Sequence, residues 1–370
     1  MDELIRDWST LPTDLLRLIC SHLLPDDFHR FHCVCKTWKL IPPLPVPCPS
    51  QCPIPQSQWL MFYHGFNRKE LNFFHPLYKD TYRMDIPELS GAFLRYSKDG
   101  WLLMSRGNRS VFFFNPFSKE KIDLPDLPHH YYFTSISFSS APTSLDCMVF
   151  AINACFDDLY FSVISRGQEQ WTWCRTTGKR VFYQSQTSPV FYNELVYCLG
   201  EDGTLGVFNP KDFSWKDLKR PVNPYSSVDE SYLMECDGKL LAVFVGKRGR
   251  GVSVYTLDDS KMAWERVYNL GNKMLFVSRA VSFSATKAVE AMANKIYFPR
   301  FCGKDGVFFS LATCRFESFG SCLSRKDLSN MKELVHCCWI EPTMKTHCEE
   351  DLNWLSTLKP SYTGKKFTLV

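Results

Sequence analysis

Histidines, paired carboxylates and cysteines are the side chains through which this chain could do chemistry, and their placement argues for binding over catalysis. Of its nine histidines, four lie in the body of the chain, His64, His75, His129 and His130, and none falls between residues 131 and 335. A metal centre or a histidine-dependent hydrolytic site built from repeats would draw ligands from several of them. Most of this chain offers none. His129-His130 follows Leu127-Pro128 and reads as a loop. The acidic pairs Asp157-Asp158, Glu201-Asp202 and Asp258-Asp259 could in principle act as catalytic carboxylates. They sit instead in apparent turns, where short acidic side chains accept backbone N–H groups. A Gly-x-Ser-x-Gly elbow, a phosphate loop and a dinucleotide fingerprint are all absent. The expectation is a non-enzyme with no catalytic residue, no cofactor and no metal site.

The 16 cysteines contain no Cys-x-x-Cys pair; Cys33/Cys35, Cys48/Cys52 and Cys337/Cys338 are the close groups. Structural zinc sites need four ligands, commonly at tighter paired spacing. The start, Met-Asp-Glu-Leu-Ile-Arg-Asp-Trp, lacks a signal peptide's apolar run, and no stretch resembles a membrane helix. Reduced thiols in the cytoplasm or nucleus are therefore expected. A net charge of +4 is too mild for a nucleic-acid binder. The sharpest basic cluster, Lys247, Arg248 and Arg250 between Gly246 and Gly251, reads as a hairpin turn that could meet an acidic partner.

Two kinds of element must position these residues. Residues 9–41 read as three short helices. Pro12 and Asp14 suit a first helical turn, by fixed φ and by charge respectively. Leu15, Ile19 and Leu23 then recur every four residues beside Leu16 and Cys20, an amphipathic stripe. Pro25-Asp26-Asp27 restarts a helix carrying Phe28 and Phe31, and a third runs through Val34 to Lys39 before Pro42-Pro43. A unit this small carries more large apolar residues than it can bury. It must cover them against a partner or against the rest of its own chain. Residues 42–58 alternate proline with other residues and read as a semi-rigid spacer.

From residue 59 to 342 the pattern changes to strands between turns, and the aromatic share of 15% fits half-buried strands. A unit recurs. Ser97-Lys-Asp-Gly leads into Val111-Phe-Phe-Phe-Asn-Pro and then Glu120-Lys-Ile-Asp-Leu. Asn193-Glu-Leu-Val-Tyr leads into Gly206-Val-Phe-Asn-Pro and Trp215-Lys-Asp-Leu, and comparable runs start at Cys236 and Asn294. Weaker copies cover Met148–Trp173 and Trp59–Leu89. Stretches such as Thr134–Ser140 and Ala280–Ser284 supply an innermost strand. Four strands per unit at about 40–50 residues predict roughly six propeller blades. Cys337–Pro342 reads as a late strand closing the ring, and residues 343–370 as a polar tail. A β-sandwich is the rival architecture.

The N-terminal pattern Leu11-Pro12-x-Asp14-Leu15-Leu16-x-x-Ile19-x-x-x-Leu23, then Asp26-Asp27, Phe31 and Val34-Cys35-Lys36-x-Trp38, resembles an F-box. The resemblance implies binding to the Skp adaptor of a cullin-RING ligase, with Leu11, Pro12, Leu15, Leu16, Ile19, Val34, Cys35 and Trp38 making or supporting that contact. The pattern Gly-x-x-x-Val-Phe-Asn-Pro followed by Trp-x-x-Leu resembles the kelch-like domain of plant F-box proteins. Kelch paired glycines are missing, so a diverged propeller is expected.

The resulting expectation is a mainly β protein: an F-box module at 1–41, a spacer at 42–58, a β-propeller-like domain at 59–342 and a tail at 343–370. It would be a substrate-recognition subunit of a Skp-cullin-F-box ubiquitin ligase, the propeller binding an unknown protein target through its loops, with no nucleic acid and no membrane involved. Candidate target-binding residues are Arg106, Arg109, Lys247, Arg248, Arg250 and Arg300, with Asn108 and Lys304 nearby. The alternatives are an F-box scaffold or transcriptional cofactor outside a ligase, and a propeller hydrolase or small-molecule sensor.

Overall fold

Turns set the period of the larger domain. In a computed structural model, the residues described are 8–23, 31–41, 58–63, 70–78, 81–107, 109–128, 133–155, 158–177, 182, 184–185, 187–201, 203–218, 228–246, 251–261, 263–286, 290–303, 305–319, 321–323, 327, 331–343 and 347–355. The expected proline spacer, the start of the second F-box helix, Lys247–Arg250, His64 and His129-His130 lie outside them. The first two strands of a blade are joined by turns with positive φ at both central residues: Asp99-Gly100, Asn193-Glu194 and Asp237-Gly238. Such turns match the right-handed twist of the strands they join. The third strand ends on an acceptor side chain that folds the chain back. Asn115 Oδ1 accepts from the N–H groups of Phe117 and Ser118, Asn209 Oδ1 from that of Lys211, and Asp258 Oδ1 from those of Ser260 and Lys261.

The described strands form six sheets, one per blade. The first contains β1 (Trp59–Tyr63), β2 (Glu70–Phe74) and β3 (Thr81–Asp85). Next come β4 (Phe93–Lys98), β5 (Trp101–Arg106), β6 (Ser110–Phe114) and β7 (Lys121–Asp123), then β8 (Ser135–Phe138), β9 (Met148–Cys155), β10 (Asp158–Ser165) and β11 (Thr172–Thr177). The fourth blade is β12 (Val190–Tyr192), β13 (Leu195–Leu199), β14 (Leu205–Asn209) and β15 (Ser214–Leu218). The fifth is β16 (Val228–Cys236), β17 (Lys239–Gly246), β18 (Val252–Asp258) and β19 (Ala263–Val267). The second to fifth blades each run from an innermost strand outward in chain order.

The sixth blade departs from this plan. Here β20 (Lys273–Phe276) pairs antiparallel with β21 (Phe283–Thr286) and parallel with β22 (Lys295–Cys302), so β20 is inserted between the innermost strand and its usual neighbour. Beyond β22 follow β23 (Asp305–Ser310), β24 (Arg315–Ser318) and β25 (Ser321–Cys322), while β26 (Lys332–Glu333) pairs with the far end of β22. Finally β27 (Cys337–Ile340) becomes the innermost strand of the first blade, pairing Trp59 with Ile340 and Phe62 with Cys337. Closure of the ring between its two chain ends removes an open sheet edge.

Blades pack face to face, so their middle strands are covered on both sides: β5, β17 and β6 are buried along almost their whole length. Aromatic rings fill the seams. Phe113 meets Phe138 edge to face at 5.0 Å, and Phe276 meets Trp339 edge to face at 4.9 Å. The recurrent Gly…Trp spacing has a steric origin at Gly206: a Cβ there would lie 2.1 Å from the ring of Trp215, which lies across the glycine from the neighbouring strand.

The tail does not stay polar and separate. The short helix Glu349–Leu352 and Trp354 lie on the propeller. Trp354 is 2% exposed and stacks on Phe113 at 5.8 Å. Arg166 donates to the carbonyls of Asp351 and Asn353, and the Gly167 N–H to that of Trp354. Nearer the axis, the His347 N–H and ring bind Glu120 at 2.7 and 3.0 Å. One buried tryptophan and two charged anchors thus hold residues 347–355 as a strap across the second and third blades.

Candidate functional site

In the N-terminal module, α1 (Thr13–His22) starts just after Pro12, and α2 (Lys36–Lys39) ends it; Trp8–Thr10 makes a single 3-10 turn before them. Spacing of four places Leu16 and Cys20 inward, where they meet Phe31 and Ile41 in a core made by these four among the described residues. Leu11, Ile19, Leu23 and Trp38 close around it. Trp38 packs on Phe31 at 4.6 Å and its indole N–H donates to the carbonyl of Trp8 at 3.0 Å.

The other face of the same helices is apolar too. Trp8, Leu15, Leu18, Val34 and Leu40 are 58, 47, 56, 53 and 81% exposed. Five of the eleven large apolar side chains exposed among the described residues therefore crowd into this short module. A cluster of this kind marks an interaction surface, whereas scattered exposed apolar residues are ordinary. The eight candidate adaptor residues divide accordingly. Leu15, Pro12 and Val34 are exposed; Leu11, Ile19, Cys35 and Trp38 are half-buried; Leu16 is fully buried and can only support the surface from beneath. Trp8, Leu18 and Leu40 belong to the outward face and were missed. Their signal in the sequence is that they are apolar yet stand off the inward stripe.

Along the propeller axis two cavities open. At the ends where the innermost strands begin lies one of about 150 Å³, lined by Arg95, Phe133, Thr134, Ser188, Arg279 and His336 among others. Where the innermost strands end lies a larger one of about 610 Å³, whose walls include Trp101, Phe191, Phe283 and Trp339. Asp99, Glu235 and Glu341 stand at this second mouth with Lys98 and His347. Burial raises the Glu341 carboxyl above its ordinary range, a hydrogen bond from Gln58 opposes that, and the charge of Asp99 adds to it.

The loop candidates fall on the same side as the smaller cavity, at turns between the second and third strands of their blades. Arg106, the last residue of β5, donates to the carbonyl of Glu88 at 2.8 Å; Arg109 donates to that of Leu127 and pairs with Asp126 at 3.6 Å. Arg300 was expected in an exposed loop and is not there: it lies within β22, 8% exposed. It is ion-paired with Glu230 of β16 and lies 3.8 Å from Glu333 of β26. Burial first, and then the charge of Glu230, raises the Glu333 carboxyl. Arg300 is thus a tie between blades. The structure brings none of these arginines to either axial cavity. Among the described residues no group of three His, Cys, Asp or Glu side chains is placed to hold a metal ion. Nor is any described helix long and apolar enough to cross a membrane.

Both surfaces have counterparts in known proteins. Residues 8–41 match the F-box domain and residues 73–322 the KIB1-4 beta-propeller. The chain belongs to the F-box proteins that carry a KIB1-4 β-propeller. An F-box/kelch-repeat protein of Arabidopsis thaliana is 32% identical over 350 residues, covering 90% of this chain and 94% of the relative. Two further F-box proteins of the same plant are 30 and 29% identical, covering 80 and 76% of this chain and 62 and 75% of their own lengths. As an F-box propeller protein the chain is a substrate adaptor, built for protein–protein contact, with its apolar helical face at one end of the sequence and its axial mouths in the other domain.

Proposed function

We propose that the protein is the substrate-recognition subunit of a Skp-cullin-F-box ubiquitin ligase. The observation that carries this reading is the set of exposed apolar side chains of the F-box, Trp8, Leu15, Leu18, Val34 and Leu40, beside a core whose described members are Leu16, Cys20, Phe31 and Ile41. A module of this length is marginal alone, and a second helical surface laid against that face would complete it. Leu11, Pro12, Ile19, Cys35 and Trp38 form the rim of the same contact, and Leu16 holds it in shape. The propeller then presents a protein target. Its contribution is proximity: a target lysine held near charged ubiquitin reacts at a raised effective concentration, and this chain supplies no reacting group. The cysteines described are free thiols, in keeping with work in the cytoplasm or nucleus.

The test is co-purification of the full chain with a Skp adaptor, compared with Leu15→Ala/Val34→Ala. Both residues are exposed, so the variant keeps its fold while losing the adaptor, a cost of about 2 kcal/mol or more if they are central contacts. An adaptor-bound chain that fails to assemble with a cullin would instead support a scaffold role outside the ligase. Retention of the adaptor by the double variant would move the contact elsewhere.

A further inference from the structure

The two ends of the propeller axis differ in charge. The larger mouth carries Asp99, Glu235 and Glu341. The smaller is lined by Arg95, Arg279 and His336, with no carboxylate among its described lining residues. We propose that this smaller, basic mouth docks a phosphoryl or carboxylate group presented by the target protein. The inference rests on the adaptor reading above and adds the chemistry by which the target is recognised.

Arg95 reaches the cavity from the start of β4 in a fixed pose. Its Nε donates to Ser105 Oγ at 2.8 Å and its guanidinium lies over the Phe133 ring at 5.0 Å. A guanidinium so held fixes a positive charge at the wall of the cavity. Arg279 enters from the segment after β20 with its side chain 43% exposed. Its nearest carboxylate is Glu333 at 3.9 Å, a long contact, and Glu333 also faces Arg300 at 3.8 Å, which Glu230 holds. One carboxylate therefore serves two guanidiniums, at long distance from each. An incoming oxyanion would give Arg279 a closer partner than it has. The hydroxyls nearby are already donating: Ser188 to the Ala280 carbonyl at 2.8 Å and Thr134 to that of Ile152 at 3.0 Å. Recognition thus falls to the arginines, which favours a charged group over a neutral polar one.

Size narrows the ligand further. A cavity of about 150 Å³ has the volume of roughly five waters of liquid. That admits one phosphoryl or carboxylate head and excludes a folded segment. The target would present a single anionic side chain or chain end, and its remaining contacts would spread over the loops around the mouth.

The experiment uses the full chain purified with its Skp adaptor and three fluorescent octapeptides of one Gly/Ser host sequence, carrying phosphoserine, glutamate or serine at the centre. Polarisation at low salt should show the phosphoserine peptide binding at least tenfold more tightly than the serine peptide. Arg279→Gln should lower that affinity at least tenfold and Arg279→Lys less, while Arg175→Gln, at an exposed pair on the third blade, leaves it unchanged. Equal binding of glutamate and phosphoserine identifies a carboxylate site, and displacement by inorganic phosphate with a silent glutamate peptide identifies a phosphoryl site; either supports the proposal. If the phosphoserine and serine peptides bind alike, or Arg279→Gln binds as the parent does, the proposal is overturned. Arg279 is exposed, so its variants test the site without the folding risk of Arg95→Gln, and thermal unfolding of each variant checks this. Failure of the peptides in a complex that retains the adaptor overturns only this inference. Peptide binding by a chain that never takes the adaptor overturns only the ligase reading.

Discussion

In the propeller, apolar side chains are covered by the chain itself; in the F-box, a comparable share faces outward. The propeller's seams are closed by rings such as Phe113 on Phe138 and Phe276 on Trp339, and its exposed apolar residues, Leu145, Trp173 and Tyr268 for example, lie far apart in the sequence. The F-box covers Leu16, Cys20, Phe31 and Ile41 and leaves five larger groups open within 33 residues, from Trp8 to Leu40. The difference teaches where each domain obtains its stability. A closed ring of sheets is self-sufficient, since every blade is covered on both faces by its neighbours. On the proposed reading the F-box is completed by a partner, so its surface residues bear on binding and its inner ones on folding.

The sharpest way to break this comparison is to truncate one large apolar residue in each domain. Trp339 is 2% exposed, meets Phe276 at 4.9 Å and donates its indole N–H to the Val277 carbonyl at 3.1 Å, all on the strand that closes the ring. Trp339→Ala should cost the propeller about 3–5 kcal/mol, the usual range for a buried tryptophan, read as a lower urea midpoint of the propeller transition. Leu15→Ala should change the stability of the unpartnered chain by no more than about 0.5 kcal/mol. Should Leu15→Ala prove as costly as Trp339→Ala, the F-box face is covered within the chain and the contrast collapses.

A second, smaller effect separates the domains by pH. His75 is fully buried against Trp59 and Tyr78, and desolvation lowers its pKa to about 3. Its Nδ1 accepts the Leu77 N–H at 3.3 Å, which fixes the neutral ring with its proton on Nε2. In the unfolded chain a histidine takes up its proton near pH 6.5. Below that value the unfolded state binds more protons than the folded one, so propeller stability falls as the pH drops from 6.5 toward 3. Between pH 7 and pH 5 the loss should be about 2 kcal/mol. His75→Asn keeps a turn acceptor and should flatten the slope, measured as the urea midpoint against pH. An unchanged slope would mean that another group sets the acid limit.

How much of this was legible depends on the range over which each feature is encoded. The blades were readable because their turns are local: Asp99-Gly100 and Asn115-Pro116 act through their own backbone. The F-box was readable from the order and spacing of its motif, but the sequence pattern put Leu15 and Leu16 in one stripe, and only the fold separates exposed Leu15 from buried Leu16. Features assembled across blades were not. Arg300 looks like a loop arginine until Glu230, seventy residues earlier, arrives beside it. The insertion of β20 depends on a parallel pairing with β22 that no local pattern announces. The basic mouth gathers Arg95, Arg279 and His336 from distant segments, each unremarkable alone. Trp354 was one of several large apolar residues in the tail, and only its place beside Phe113 marks it out.

That tail offers the finest test of the comparison, because it is a short segment that, unlike the F-box, finds its cover within the chain. Burial raises the Glu120 carboxyl, but hydrogen bonds from the His347 ring and N–H and from Ser118 outweigh this and hold it below its ordinary value. The stabilisation is therefore present above the ordinary carboxylate range and is lost as the pH falls through the lowered value. Glu120→Gln keeps the shape and removes the charge, at a cost of about 1 kcal/mol for a charge-assisted hydrogen bond that partly survives. The loss should be local. The Gly167 amide, which donates to the Trp354 carbonyl, should exchange its hydrogen faster, while amides of the ring-closing β27 keep their protection. If Gly167 exchanges as before, Trp354 and Arg166 hold the strap without help from Glu120. If β27 loosens along with it, the strap and the ring open as one unit, and the tail belongs to the propeller's own closure.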